Sequence, residues 1–140
     1  MNASLTKTQL AISWVCRIVA AVILLQTLFF KFTGAPESVY IFSRVGIEPW
    51  GRYATGTVEL IASVMLLTPR LAWLGGLIAI AVMGGAVGVH LTVLGIVVQN
   101  DGGLLFGLAL AVFICSAVTV YLHRRDIPHQ CHSRCQTQKT

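Results

Sequence analysis

Charge is what this 140-residue chain has least of: 10 Lys and Arg and 5 Asp and Glu, 11% together, against 56% hydrophobic residues. An ordinary soluble domain carries about 25% charged residues, and a mean hydropathy of +0.78 points the same way, so a soluble globular fold is excluded. Polar sequence is short as well. The longest polar pieces are the loop from Lys31 to Gly51 and the segment after Leu122, which leaves no room for a soluble catalytic domain. Internal repeats and low-complexity runs are missing. No small-x-small cleavage site follows Phe30, so the first thirty residues read as a retained helix rather than as a secretory leader behind Lys7 and Arg17. No haem-ligand pair, flavin site or nucleophile–base pairing is legible, so the chain is not expected to carry out bond chemistry alone. The net charge of +5 calls for no nucleic acid, because basic residues at the chain ends already serve topology and contact with anionic lipid head groups.

What is present is apolar length. Crossing the hydrocarbon core takes about 20 mostly apolar residues, and four stretches approach this: Leu10 to Phe30, Arg52 to Leu67, Leu71 to Val98, and Leu104 to Leu122. Short connections favour helices over a barrel, since each backbone N–H and C=O in lipid needs an internal partner. The expected fold is all-α: an antiparallel four-helix transmembrane bundle over residues 1–122, followed by a polar, flexible tail over 123–140. Pro36, Glu37 and Gly46 predict a short interfacial helix, Glu37 to Val45, between spans one and two. "TPR" at Thr68 to Arg70 and "QNDGG" at Gln99 to Gly103 predict the two tight turns. Lys7, Arg70, Arg124, Arg125, Arg134 and Lys139 fall on one side and Lys31, Arg44 and Arg52 on the other, which places both termini in the cytoplasm. Gly103, Gly107, Ala111 and Cys115, and Gly84 with Gly88, recur every fourth residue and are expected to be packing faces. Cys16 reads in the same way.

Ionisable groups inside such spans are rare and face the bundle interior or a wet cavity. Here they are Arg17, Lys31, Glu59 and His90, with Gln26 as a further polar side chain. Arg17, Leu24 and Lys31 are spaced by sevens and share one face of span one, with Gln26 opposite. At 1.5 Å per residue Glu59 lies about 10 Å in from Arg52, and His90 about 28 Å along from Leu71, so both come to the depth of Lys31. Glu59 is therefore expected to pair with Lys31 or Arg17, with His90 beside it. Two readings stay open: a charge pair that fixes helix order, or a pocket for a quinone ring, a proton relay or a small anion. Arg17 has its own alternative, snorkelling to the cytoplasmic surface.

The tail brings His129, Cys131, His132 and Cys135 within one short stretch, a donor set that suits a soft divalent metal. Their crowding does not match the usual zinc spacing.

Taken in order, Arg17 and Lys31 bracketing the first span, "FSRVGIEPW", "TGTVELIASVMLLTPR", and "GAVGVHLTVLG" around His90 resemble the DoxX-like family over Arg17 to Gly95. The resemblance implies a four-helix protein of the bacterial inner membrane, linked in some members to quinone-coupled sulfur oxidation and in others to oxidoreductase complexes that resist oxidative stress. It makes Glu59, Lys31 and His90 positions that match the family pattern. The resulting expectation is a redox-associated membrane subunit whose ligand site is formed by Glu59, Lys31, His90 and Arg17. Its ligand would be a quinone-like molecule or a small anion. Its partners would be membrane lipid, an oxidoreductase subunit and a second copy of the chain. The alternatives are a structural membrane scaffold and a transporter of small solutes or metal.

Overall fold

The computed structural model describes residues 5–124. The first helix, α1 (Lys7–Thr33), starts from a reciprocal cap in which Thr6 Oγ1 accepts from the Gln9 N–H and Gln9 Oε1 accepts from the Thr6 N–H. Its 27 residues span about 40 Å, more than the hydrocarbon core of about 30 Å. Gly34, at φ 69°, ends it in the left-handed conformation. The short helix α2 (Pro36–Val45) begins on Pro36, whose missing N–H costs nothing in a first turn, and stops at Gly46. Its range includes the short helix, Glu37 to Val45, expected from the sequence. Helix α3 (Trp50–Leu67) ends where Pro69 forces a turn closed by the Leu71 N–H on Thr68 O. Helix α4 (Ala72–Val89) runs on into a π-helical turn over His90–Leu94, and α5 (Leu104–Leu122) completes the described chain.

Among the described residues three helices are long and apolar enough to cross a membrane: α1, the continuous stretch Ala72–Leu94, and α5. Helix α3 is not among them. Arg52, Glu59 and its glycines and threonines dilute the apolar residues of an 18-residue helix. The third span also ends short of the Val98 expected from hydropathy. Gly95, at φ 81°, breaks it after Leu94, and Val98 then folds inward and is buried.

Helix α1 packs against α3 and α5, and α4 packs against the same two, while α2 touches α1, α3 and the π-helical turn. The polarity is inside out relative to a soluble protein. Large apolar side chains such as Val15, Phe29 and Ile114 point outward, and Arg17, Glu59, Ser63, His90 and Ser116 are buried. Between the polar ends lies a waist of small and branched side chains, among them Ala20, Ala62, Ala79 and Val112.

The closest helix approaches are at glycines not singled out in the sequence. A Cβ on Gly75 would stand 2.7 Å from the backbone nitrogen of Leu66 on α3, and one on Gly76 would stand 2.7 Å from Val120 Cγ2 on α5. The expected packing stripe is only partly realised. Gly84 would make an ordinary 3.6 Å contact with Phe113, while a Cβ on Gly88 or Gly107 would meet nothing within 4 Å. Period-four spacing marks a helix face but does not say which face meets a neighbour. Cys115 does pack against the core as a small residue.

Candidate functional site

The last two turns of α1 carry Thr27 and Lys31 on the inner face, and Glu59 of α3 stands across from them. Lys31 Nζ donates to both carboxylate oxygens of Glu59, at 2.8 and 3.0 Å, and the Thr27 hydroxyl lies 3.2 Å from Glu59 Oε2. The Glu59 side chain is 2% exposed and that of Lys31 15%. This is a nearly buried, two-pronged ion pair at the end of the bundle that carries α2.

Arg52 clamps that end. Its guanidinium pairs with Glu48 at 2.8 Å, stacks on the Tyr53 ring, and donates to the main-chain oxygen of Lys31. The start of α3 is thereby tied to the carbonyl of the residue that pairs with Glu59. Arg52 was legible in the sequence only as a topology signal. Its spacing of four from Glu48 was the available clue, since i,i+4 partners share a helix face.

His90 opens the π-helical turn. Its Nδ1 lies 3.0 Å from Gly95 O, the Gly95 N–H returns to His90 O, and its ring meets Phe106 of α5 edge to face at 5.7 Å. Single π-helical turns inside α-helices are frequent at functional sites. In the next loop Asp101 organises the backbone. Its carboxylate accepts from the N–H groups of Val98, Gly103 and Leu105 and so caps the start of α5. Burial raises its pKa, but those three N–H groups, aided by nearby His90, outweigh burial and hold the carboxyl below its ordinary range.

Lys31, Glu59 and His90 line a single cavity of about 620 Å³ together with Asp101 and with Glu37 and Ser38 of α2. The remaining walls are mostly aliphatic, among them Leu24, Val82, Met83 and Leu108. The Ser38 hydroxyl is buried and has no hydrogen-bond partner among the described residues. Phe30 of α1 and Leu104 of α5 line the cavity while also being exposed on the outer surface.

The structure brings three of the four residues expected at the site to this cavity. Arg17 is not one of them. It lies fourteen residues before Lys31 on the same helix face, about 21 Å away along α1. Spacing by sevens preserves the face but says nothing of depth. Arg17 does not snorkel either: it is 1% exposed, donates to Leu66 O and lies 4.1 Å from the Trp14 ring centroid. The expectation of a small anion in this cavity meets an adverse charge balance, since one lysine faces three carboxylates, Glu37, Glu59 and Asp101. Among the described residues no group of three or more His, Cys, Asp or Glu side chains is placed to hold a metal. The tail residues His129, Cys131, His132 and Cys135 lie outside the described residues.

Outward apolar helices, a buried ion pair and a cavity lined by polar as well as apolar side chains define the class: an integral membrane protein with an internal cavity. The chain belongs to the DoxX-like family, whose family profile matches residues 15–117, well over half of its length. No curated protein and no solved structure matches it.

Proposed function

We propose that this protein is a redox-associated membrane subunit of the bacterial inner membrane that binds a quinone-like ligand in the α1–α5 cavity and depends on a partner oxidoreductase for electron transfer. In this reading α3 acts as a fourth span, shielded on two sides by α1 and α4, and both termini face the cytoplasm. The observation that carries the proposal is the cavity itself. Its volume falls within the roughly 300–1,000 Å³ of small-molecule sites, its walls are apolar, and its polar groups gather at one end. A ring with two carbonyls and an apolar tail matches that distribution. The unpartnered Ser38 hydroxyl and the Lys31 ammonium are donors for ring oxygens, and a ligand dissolved in the bilayer would enter past Phe30 and Leu104, which line the cavity and are exposed. The excess of carboxylates favours a neutral ligand over an anion.

Purification from native membranes in mild detergent, followed by mass spectrometry of whatever remains bound, tests this. A quinone at a stoichiometry near one, or a co-purifying oxidoreductase, is the expected result. Lipid alone, with no partner, would count against it.

The geometry of the Lys31–Glu59 pair favours a second reading, a scaffold in which the pair only fixes helix order. Replacing both residues with neutral ones separates the two readings. Recovery of stability together with cellular function would make the pair structural, and recovery of stability alone would make it part of a site.

A further inference from the structure

The opposite end of the helices holds a second buried polar layer that the cavity does not use. Arg17 Nη2, Ser13 Oγ and Ser116 Oγ are all buried without a hydrogen-bond partner among the described residues, on residues 1%, 0% and 0% exposed. Ser13 and Arg17 are four apart and share the inner face of α1. A chain of contacts around the four long helices brings Ser116 to the same level. Arg17 donates to Leu66 O on α3, and Leu66 N is the nearest atom to a Cβ built on Gly75 of α4. A Cβ on the adjacent Gly76 would stand 3.3 Å from Ser116 O on α5. The loop closes because α5 also packs against α1.

The charge of this layer is unbalanced. Among the described residues the carboxylates are Glu37, Glu48, Glu59 and Asp101, and each lies near the cavity end or in its flanking loops. Among the described residues the guanidinium thus has one backbone acceptor and one aromatic face, neither of which carries a full negative charge. An unpaired charge buried in apolar surroundings is costly, and a water molecule would satisfy its N–H group without neutralising it. Two neighbouring hydroxyls add O–H donors, and neither serine is committed to a protein acceptor.

We propose that Arg17, Ser13 and Ser116 form an intramembrane site for a small monovalent anion of chloride's size and charge. One positive charge sets the valence, and the three donors set the coordination. The apolar waist separates this site from the cavity, so occupancy of one does not require the other.

The test is thermal unfolding of the full-length protein in detergent, in sodium chloride and in sodium gluconate at matched ionic strength. Chloride is expected to raise the midpoint in proportion to the logarithm of its concentration above the dissociation constant, by about 4 °C or more at a hundredfold excess, while gluconate, too large for a buried site, does not. Ser13→Ala with Ser116→Ala removes only unpartnered hydroxyls, so the variant should fold, and it should need at least tenfold more chloride for the same shift. Identical curves for the wild type in the two salts would overturn the proposal whatever the variants do. A midpoint lowered by Asp126→Asn with no chloride effect would instead assign the counter-charge to the chain itself, and would also overturn it.

Discussion

Glu59→Gln removes one charge from a pair that the protein has almost completely withdrawn from solvent. Breaking a fully buried pair from one side costs about 3–5 kcal/mol, mostly because the surviving charge is stranded. Here the survivor is Lys31, which keeps 15% exposure and sits in the last turn of α1, three residues before Gly34. It can recover part of its hydration by turning outward, which places the cost at the lower end, about 3 kcal/mol. For a chain of this size that is a drop of roughly 10 °C in the midpoint. Lys31→Met is the harsher change because it strands Glu59, which is 2% exposed and has only the Thr27 hydroxyl left to it. The double variant leaves no stranded charge and should be more stable than either single variant. Circular dichroism at 222 nm during heating, at one fixed scan rate, reads all four proteins in the same detergent. A Glu59→Gln protein within 2 °C of the wild type (about 0.5 kcal/mol), or a double variant no better than the worse single one, would refute the reasoning.

Gly75→Ala puts a methyl 2.7 Å from the Leu66 backbone nitrogen and should cost about 1–3 kcal/mol by prying α3 from α4, whereas Gly88→Ala and Gly107→Ala meet open space and should hold or raise the midpoint through better helix propensity; equal effects at the three positions would contradict this packing. The Asp101 carboxyl, depressed in the folded state, contributes stability that is fully present above the unfolded pKa of about 3.9 and is lost as pH falls through the lower folded value. The wild type should therefore lose more stability than Asp101→Asn between pH 4.5 and pH 2.5, and parallel pH profiles would deny the group that role. His90→Phe keeps the apolar ring against Phe106 but deletes the Nδ1 contact with Gly95 O, and should loosen the π-helical turn by about 1 kcal/mol, seen as faster amide exchange at Gly95; unchanged exchange would contradict it.

Much of the helical order was legible because its signals are local. Pro36 and Gly46 bound α2, Pro69 ends α3, and apolar runs of sufficient length give the spans. The meeting of Lys31 and Glu59 was also readable, because rise per residue converts position into depth once the helices run antiparallel. What stayed hidden needs a partner helix to appear. Hydropathy carried the third span on to Val98, because Ile96, Val97 and Val98 are apolar and only the backbone conformation of Gly95 ends the helix. Arg17 shared a face with Lys31 and was placed with it, although face and depth are independent coordinates. Gly75 and Gly76 looked no different from Gly84 and Gly88, since close approach depends on which side another helix occupies. The part of the cavity wall that α2 supplies was invisible for the same reason: Ser38 is an ordinary serine until α2 packs against α1 and α3.

The central claim is that the α1–α5 cavity holds a quinone-like ligand, and photolabelling tests it most directly. A short-chain quinone bearing a photoreactive group is cross-linked to the protein in nanodiscs, and the labelled peptides are mapped with and without excess unlabelled quinone. Saturable, competed labelling within residues 23–31 of α1 and 81–94 of α4 and its π-helical turn is the predicted result. Ala86→Trp, which fills the chamber while leaving Lys31, Glu59 and His90 in place, should abolish it. Labelling spread over the outer faces of α1 and α5, indifferent to competitor and to Ala86→Trp, would contradict the account.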